Sequence, residues 1–205
     1  LGALGTVKKK IYIVTNRKLV KNKNMLDIIE SSVLAGADAV ILREKDLDSG
    51  RLIPLAEKIK KITEPRKIPL IINGNIETAL KVNSGGFHTS YTDYMNGHFK
   101  FNGTLGVSVH STSEAVNAEK EGADYLLAGH IFETDCKKGL KPRGISFLKD
   151  ILSNVSIPVI AIGGINESNI DKLLKTDVCG AAVMSLVMCS DDPYLTTRNL
   201  KNHME

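Results

Sequence analysis

Apolar residues recur along this chain with two alternating periods. Short apolar runs at 11–14, 39–42, 70–72, 86–88, 105–109, 125–128, 159–162 and 181–184 read as buried strands. Between most of them the apolar positions return every three or four residues. Met25, Leu26, Ile29 and Val33 make one such stripe, and Leu52, Leu55, Ala56, Ile59 and Ile62 make another. Each stripe gives a helix one apolar face to lay against a sheet. Ser111 and Glu114 have the spacing of a capping box, and Gly122 is placed to end the helix they start. The segment from 89 to 104 carries no clear helical stripe, so the fourth unit is expected to lack a well-formed helix.

The phrasing repeats at half length. Ala35-Gly36-Ala37-Asp38 returns as Glu121-Gly122-Ala123-Asp124, each leading into a strand. Ile68-Pro69-Leu70-Ile71-Ile72 returns as Ile157-Pro158-Val159-Ile160-Ala161. Two four-unit halves predict a closed (β/α)8 TIM barrel, an α/β fold in one domain. A doubly wound open sheet would more naturally carry a glycine-rich phosphate loop after the first strand, where this chain has Thr15-Asn16-Arg17. Residues 1–10 read as an N-terminal extension and 11–205 as the barrel.

Composition narrows the function. The 205 residues are 42% hydrophobic and 24% charged, which is a folded globular chain and not a disordered one. Net charge is +4, but the basic residues are spread and there is no Trp, so no nucleic-acid surface is expected. No apolar run has the length of a membrane span and no start resembles a signal peptide, which leads to a cytoplasmic expectation. Cys136, Cys179 and Cys189 are odd in number and far apart, which fits a reducing compartment better than a disulfide framework. The sequence leaves room for a homo-oligomer.

In a parallel barrel the C-terminal strand ends meet at one mouth, where these folds place their chemistry. The predicted ends bring together Arg43 and Lys45, Asn73, His88, Ser108 and His110, His130, Gly163 and Gly164, and Met184 and Ser185. This set is cationic and rich in hydrogen-bond donors, so a small anionic ligand is expected. Gly163, Gly164 and Ser185 follow strands seven and eight, the usual phosphate position, and glycine lets backbone N–H groups come close. Arg43 suits a carboxylate, which it can grip with two parallel bonds. His130 directly follows a strand and precedes a polar loop containing Lys137. A histidine there can take and return a proton near neutral pH without a cofactor. A magnesium site would need at least one carboxylate at the mouth. The chain reads Asn73-Gly74 after strand three, and Asp93 lies in the unplaced fourth loop. No metal and no cofactor are expected.

These residues carry a resemblance. Tyr12-Ile13-Val14-Thr15, Arg43-Glu44-Lys45, Gly106-Val107-Ser108, Gly122-Ala123-Asp124-Tyr125 and Ile157 through Gly164 resemble, in order, the thiamin phosphate synthase/TenI family. The resemblance implies a (β/α)8 barrel and one of two activities. The synthase couples a pyrimidine pyrophosphate to a thiazole phosphate with magnesium. The TenI branch is a metal-free thiazole tautomerase acting one step earlier. The chain has Ile41 where the synthase pattern has Gln, Gly74 where it has a magnesium-binding Asp, and Asp135-Cys136 inside its Thr-x-Thr-Lys. Ser108-Val109-His110-Ser111 and Gly129 through Gly139, with His130 at its head, are similar to the TenI pattern. The resemblance implies that His130 is the acid/base and that the partner is a phosphorylated carboxythiazole. A synthase that tolerates the changes, or a non-catalytic phosphate-ligand regulator, is the alternative.

Overall fold

Eight strands alternate with nine helices among the described residues, β1 at Lys10–Val14 and β8 at Gly180–Val183. The computed structural model describes residues 8–205 apart from 98 and 138. Between the first and last strands lie β2 (Ala39–Leu42), β3 (Leu70–Asn73), β4 (Gly86–Ser90), β5 (Thr104–Val109), β6 (Tyr125–Gly129) and β7 (Val159–Ile162). Each pairs in parallel with its sequence neighbours, and β1 pairs with β8, so the sheet closes as a barrel. The helices are α1 (Met25–Leu34), α2 (Ser49–Thr63), α3 (Ile76–Lys81), α4 (Tyr91–Gly97), α5 (Thr112–Lys120), α6 (Gly144–Asn154), α7 (Ile170–Leu174), α8 (Ser185–Met188) and α9 (Pro193–Met204).

The fourth unit differs from expectation. Residues 91–97 form α4, with only Tyr94 buried in it. One buried residue in two turns leaves no stripe to read, so tertiary packing holds the helix. The two stripes seen in the sequence form α1 and α2, which bury Ile29 and Val33, and Leu52, Ala56 and Ile59. At α5, Ser111 accepts the Glu114 N–H as expected. The reciprocal bond is displaced by one residue: the Glu114 carboxylate accepts the N–H of His110, at 2.6 Å.

Strand alternation sorts the apolar residues into two cores. Val14, Ala39, Ile41, Ile71, Tyr125, Leu127, Ile160 and Ala182 fill the barrel. The opposite faces of the strands pack outward on the helices. Gly106 faces the Tyr125 ring, which occupies the space a Cβ would need.

The half-length repeat has a physical basis. Asp38 and Asp124 each accept the N–H of a neighbouring strand's residue, Ile11 at 2.8 Å and Leu105 at 2.7 Å. Gly36 and Gly122, at φ +103° and +91°, turn the chain from helix into strand just before them. The carbonyls of Pro69 and Pro158 accept from Val40 and Leu126, again at equivalent strands. These bonds seal the N-terminal end of the barrel and leave the other end to the site.

Candidate active site

β6 delivers His130 to the mouth. The segment after the strand stays paired with the end of β7: Ile131 N–H donates to the Ile162 carbonyl and Phe132 N–H to that of Gly163, at 3.0 and 2.9 Å. His130 is buried, at 7% exposure. Its Nε2 faces the Leu140 carbonyl at 3.3 Å. A carbonyl only accepts, so in the neutral ring Nε2 carries the proton and Nδ1 keeps the lone pair. The fixed ring nitrogen is the property a proton shuttle needs.

Gly163 and Gly164 have φ of +103° and +66°, a region that favours glycine. A Cβ on Gly163 would overlap that of His130, and one on Gly164 would overlap the Glu133 carbonyl oxygen. The first demand on both glycines is therefore the close passage of the loop that carries His130. Met184 caps the short α8, which Ser185 begins, and packs against the barrel interior.

His110 bonds to the residue that precedes His130. Its Nδ1 donates to the Gly129 carbonyl at 2.8 Å, so the neutral ring has its lone pair on Nε2. Deeper in the barrel, His88 Nδ1 lies 2.9 Å from the Tyr125 hydroxyl and Nε2 lies 2.7 Å from Ser108 Oγ. Burial, and then the charge of Arg43, push the His88 pKa down to about 3, so the ring is neutral. Burial pushes the Tyr125 hydroxyl far up. Asn73 donates through Nδ2 to the His88 carbonyl at 3.1 Å.

Arg43 directly follows the last residue of β2 and is half-buried. Its charge is felt at His88. Among the described residues its guanidinium has no hydrogen-bonded or ion-paired partner. Its neighbour Glu44 is fully engaged. That buried carboxylate accepts from Thr15 Oγ1 at 2.8 Å, from Arg17 N–H, and from Arg17 Nη1 at 2.9 Å. Thr15 Oγ1 in turn accepts the Arg43 N–H at 3.0 Å. Glu44 thus ties the β1 loop to the end of β2 and holds Arg43 in place.

Lys45 does not join this group. Alternation would aim it with Arg43, but β2 ends at Leu42, the chain turns at Lys45, and the side chain is exposed. Lys137 lies in a 3-10 turn at Asp135–Lys137, and its side chain falls outside the described residues. Cys136 in the same turn is exposed. Sequence reasoning passed over Tyr125 and Glu44. Tyr125 had a signal, since it shares the inward parity of Leu127 and sits opposite a glycine. Glu44 had none, because a charged residue between two cations reads as surface.

Magnesium in phosphate chemistry is held by one or two carboxylates together with substrate phosphates. Among the described residues, no three His, Cys, Asp or Glu side chains gather as a metal site. Gly74, at the end of β3, supplies no carboxylate and faces open space. Asp93 is exposed on the first turn of α4 and accepts from Ser90 Oγ at 2.6 Å. The end of β3 thus lacks the carboxylate that the synthase pattern carries there, and Asp93 is committed to Ser90 on an exposed turn.

Comparison with known proteins follows the same fold. Residues 11–187 match the TMP-TENI family, described as thiamine monophosphate synthase. A thiamine-phosphate synthase of Clostridium tetani is 40% identical over 189 residues, 89% of each chain. One of Clostridium acetobutylicum is 40% identical over 186 residues, 87% of each chain. The structure of a thiamine phosphate pyrophosphorylase from Pyrococcus furiosus superposes with a TM-score of 0.84 at 31% identity, covering 97% of this chain and 96% of that one. The two Clostridium relatives carry the synthase name, and none of the three carries that of the TenI branch. No helix among the described residues is long and apolar enough to cross a membrane. On the matched length, the identity and the shared barrel, the chain belongs to the thiamine monophosphate synthase/TenI family of thiamin-biosynthesis enzymes.

Proposed function

We propose that this member of the family is a thiazole tautomerase. The observation that carries the reading is His130: a buried imidazole at the mouth, with its tautomer set by the Leu140 carbonyl and its lone pair on Nδ1. The substrate is a carboxythiazole ethyl phosphate in its non-aromatic form. Nδ1 removes the proton from the ring carbon beside the carboxylate. The electron pair of that C–H bond moves into the ring, and the exocyclic double bond takes up a proton at its outer carbon. The same imidazole delivers that proton. The aromatic ring that results supplies the driving force, and the reaction is neutral in protons and electrons.

The other mouth residues hold the substrate. Arg43, Ser108 and His110 face the carboxylate, where a cation and hydrogen-bond donors stabilise charge as it develops on the ring. Gly163, Gly164 and Ser185 receive the phosphate. Asn73 and Met184 border the ring. No metal enters this chemistry.

The names of the relatives favour a second reading, the magnesium-dependent coupling of a pyrimidine pyrophosphate to a thiazole phosphate. Ile41, Gly74 and Cys136 weigh against it, since each stands where the synthase pattern carries a ligand contact. The two readings separate in one assay. In the presence of a chelator, the wild type should speed aromatisation of the carboxythiazole, followed by ultraviolet absorbance. His130→Ala should lose most of that rate, since general acid–base help is typically worth about 10²–10⁴-fold. A wild type no faster than the spontaneous reaction, with magnesium-dependent release of pyrophosphate from the two precursors, would establish the synthase instead.

A further inference from the structure

The barrel interior holds a polar chain that the proton transfer at His130 does not use: Tyr125 Oη, the two nitrogens of His88, and Ser108 Oγ, linked at 2.9 and 2.7 Å. We infer that this chain has one direction, Tyr125 O–H to Nδ1 and Nε2–H to Oγ, so that Ser108 presents a committed O–H donor to the mouth and selects an anionic group of the ligand.

The direction follows from counting protons. A neutral imidazole has one donor and one acceptor nitrogen. His88 is neutral, because it is buried and close to the charge of Arg43. Tyr125 is buried and has one hydroxyl proton, and His88 is its one hydrogen-bond partner among the described residues. In the reversed chain Nδ1–H would donate to Tyr125, and the phenolic proton would be buried without an acceptor. Native interiors rarely leave a buried donor unsatisfied. In the forward chain the phenolic and imidazole protons are both used. One proton is left over, that of Ser108, and it sits on a half-buried side chain at the mouth, where a ligand can accept it.

Ser108 is then a fixed donor and not a rotor free to give or take. Arg43, with no hydrogen-bonded or ion-paired partner for its guanidinium among the described residues and close enough for His88 to sense its charge, adds a cation to the mouth. A cation and a neutral O–H donor together complement a carboxylate. His88 and Tyr125 touch no ligand in this scheme; they are positioning residues that act through Ser108. The direction of the chain is independent of the reaction proposed above. Only the identity of the acceptor, as the thiazole carboxylate, rests on that reading.

The direction is measured by nitrogen-15 NMR of histidine-labelled protein, which reports which ring nitrogen carries the proton. The expected result for His88 is a neutral ring protonated at Nε2, and a ring protonated at Nδ1 overturns the inference. Tyr125→Phe keeps the ring that packs on Gly106 and removes only the hydroxyl. It should weaken binding of the aromatic carboxythiazole phosphate by roughly three- to tenfold, the worth of one ordinary hydrogen bond. Ser108→Ala should lose at least as much, and the double variant should bind like Ser108→Ala alone. Independent, additive losses would show that Tyr125 does not act through Ser108. Calorimetry with the thiazole phosphate that lacks the carboxylate should show no loss in Tyr125→Phe; an equal loss removes the carboxylate as the acceptor. Failure of the tautomerase reading looks different, with aromatisation at the spontaneous rate while His88 keeps its Nε2 proton.

Discussion

At the scale of single residues, three side chains set distinct expectations. His88 is buried neutral, with a pKa near 3 against an ordinary 6.5. As pH falls through 6.5 the unfolded chain binds a proton that the folded chain refuses. Stability therefore declines from about pH 6.5 toward 3, at up to ~1.4 kcal/mol per pH unit for this one group. Urea midpoints measured across that range should fall with acidity, and His88→Gln should flatten the slope. Glu44 bonds Thr15 and Arg17 from a buried position. Glu44→Ala leaves the Thr15 hydroxyl and the Arg17 backbone N–H without their acceptor, while the Arg17 side chain keeps Asp46, and should cost about 1–3 kcal/mol by chemical denaturation. It should also raise KM, because Thr15 is what holds the Arg43 backbone. In the proposed tautomerase turnover depends on His130, as its alanine variant tests.

At the scale of elements, the mouth is shaped by the joint run of the β6 and β7 ends. Ile131 and Phe132 pair with Ile162 and Gly163, and the two glycines leave room for the loop to cross them. Gly163→Ala places a methyl group against His130 at a backbone angle that alanine rarely adopts. We expect a loss above ~1 kcal/mol in thermal or urea unfolding, since positive-φ glycines cost more than that when replaced. A larger fall in kcat than in stability-matched controls would mark the displacement of His130. Part of this was legible in advance. The Gly-Gly pair was readable as a place where a Cβ is not tolerated, but the body it avoids is a loop thirty residues earlier in the chain. Likewise α4 was invisible as a pattern, because a helix with one buried residue has no periodicity to display.

At the scale of the whole molecule, the two ends of the barrel have separate duties. The N-terminal end is closed by Asp38, Asp124 and the proline carbonyls, and by the last helix. Lys201 of α9 is buried at 3% exposure and pairs with Asp38 at 2.5 Å, tying the C-terminal helix beneath β1 and β2. Lys201→Ala leaves a partly buried carboxylate without its cation, and should destabilise by about 3 kcal/mol. Because this pair lies at the end opposite the mouth, KM and kcat at a temperature well below unfolding should stay unchanged. A change in either would mean that the two ends are coupled.

Local sequence determined the strand count, the closed barrel, the half-length repeat and the presence of His130 at a strand end. Each of these depends on spacing between near neighbours: period two, period three to four, a glycine before an aspartate. Contacts between distant segments decided the rest. Lys45 left the mouth because β2 stopped three residues before it, and alternation holds only while a strand lasts. Tyr125, His88 and Ser108 came together from three strands, and their hydrogen bonds depend on register across the sheet. The tautomers of His110 and His130 were set by carbonyls 19 and 10 residues away. A side chain's type is written in the sequence, but which of its atoms carries a proton depends on what the fold places within 3 Å of it.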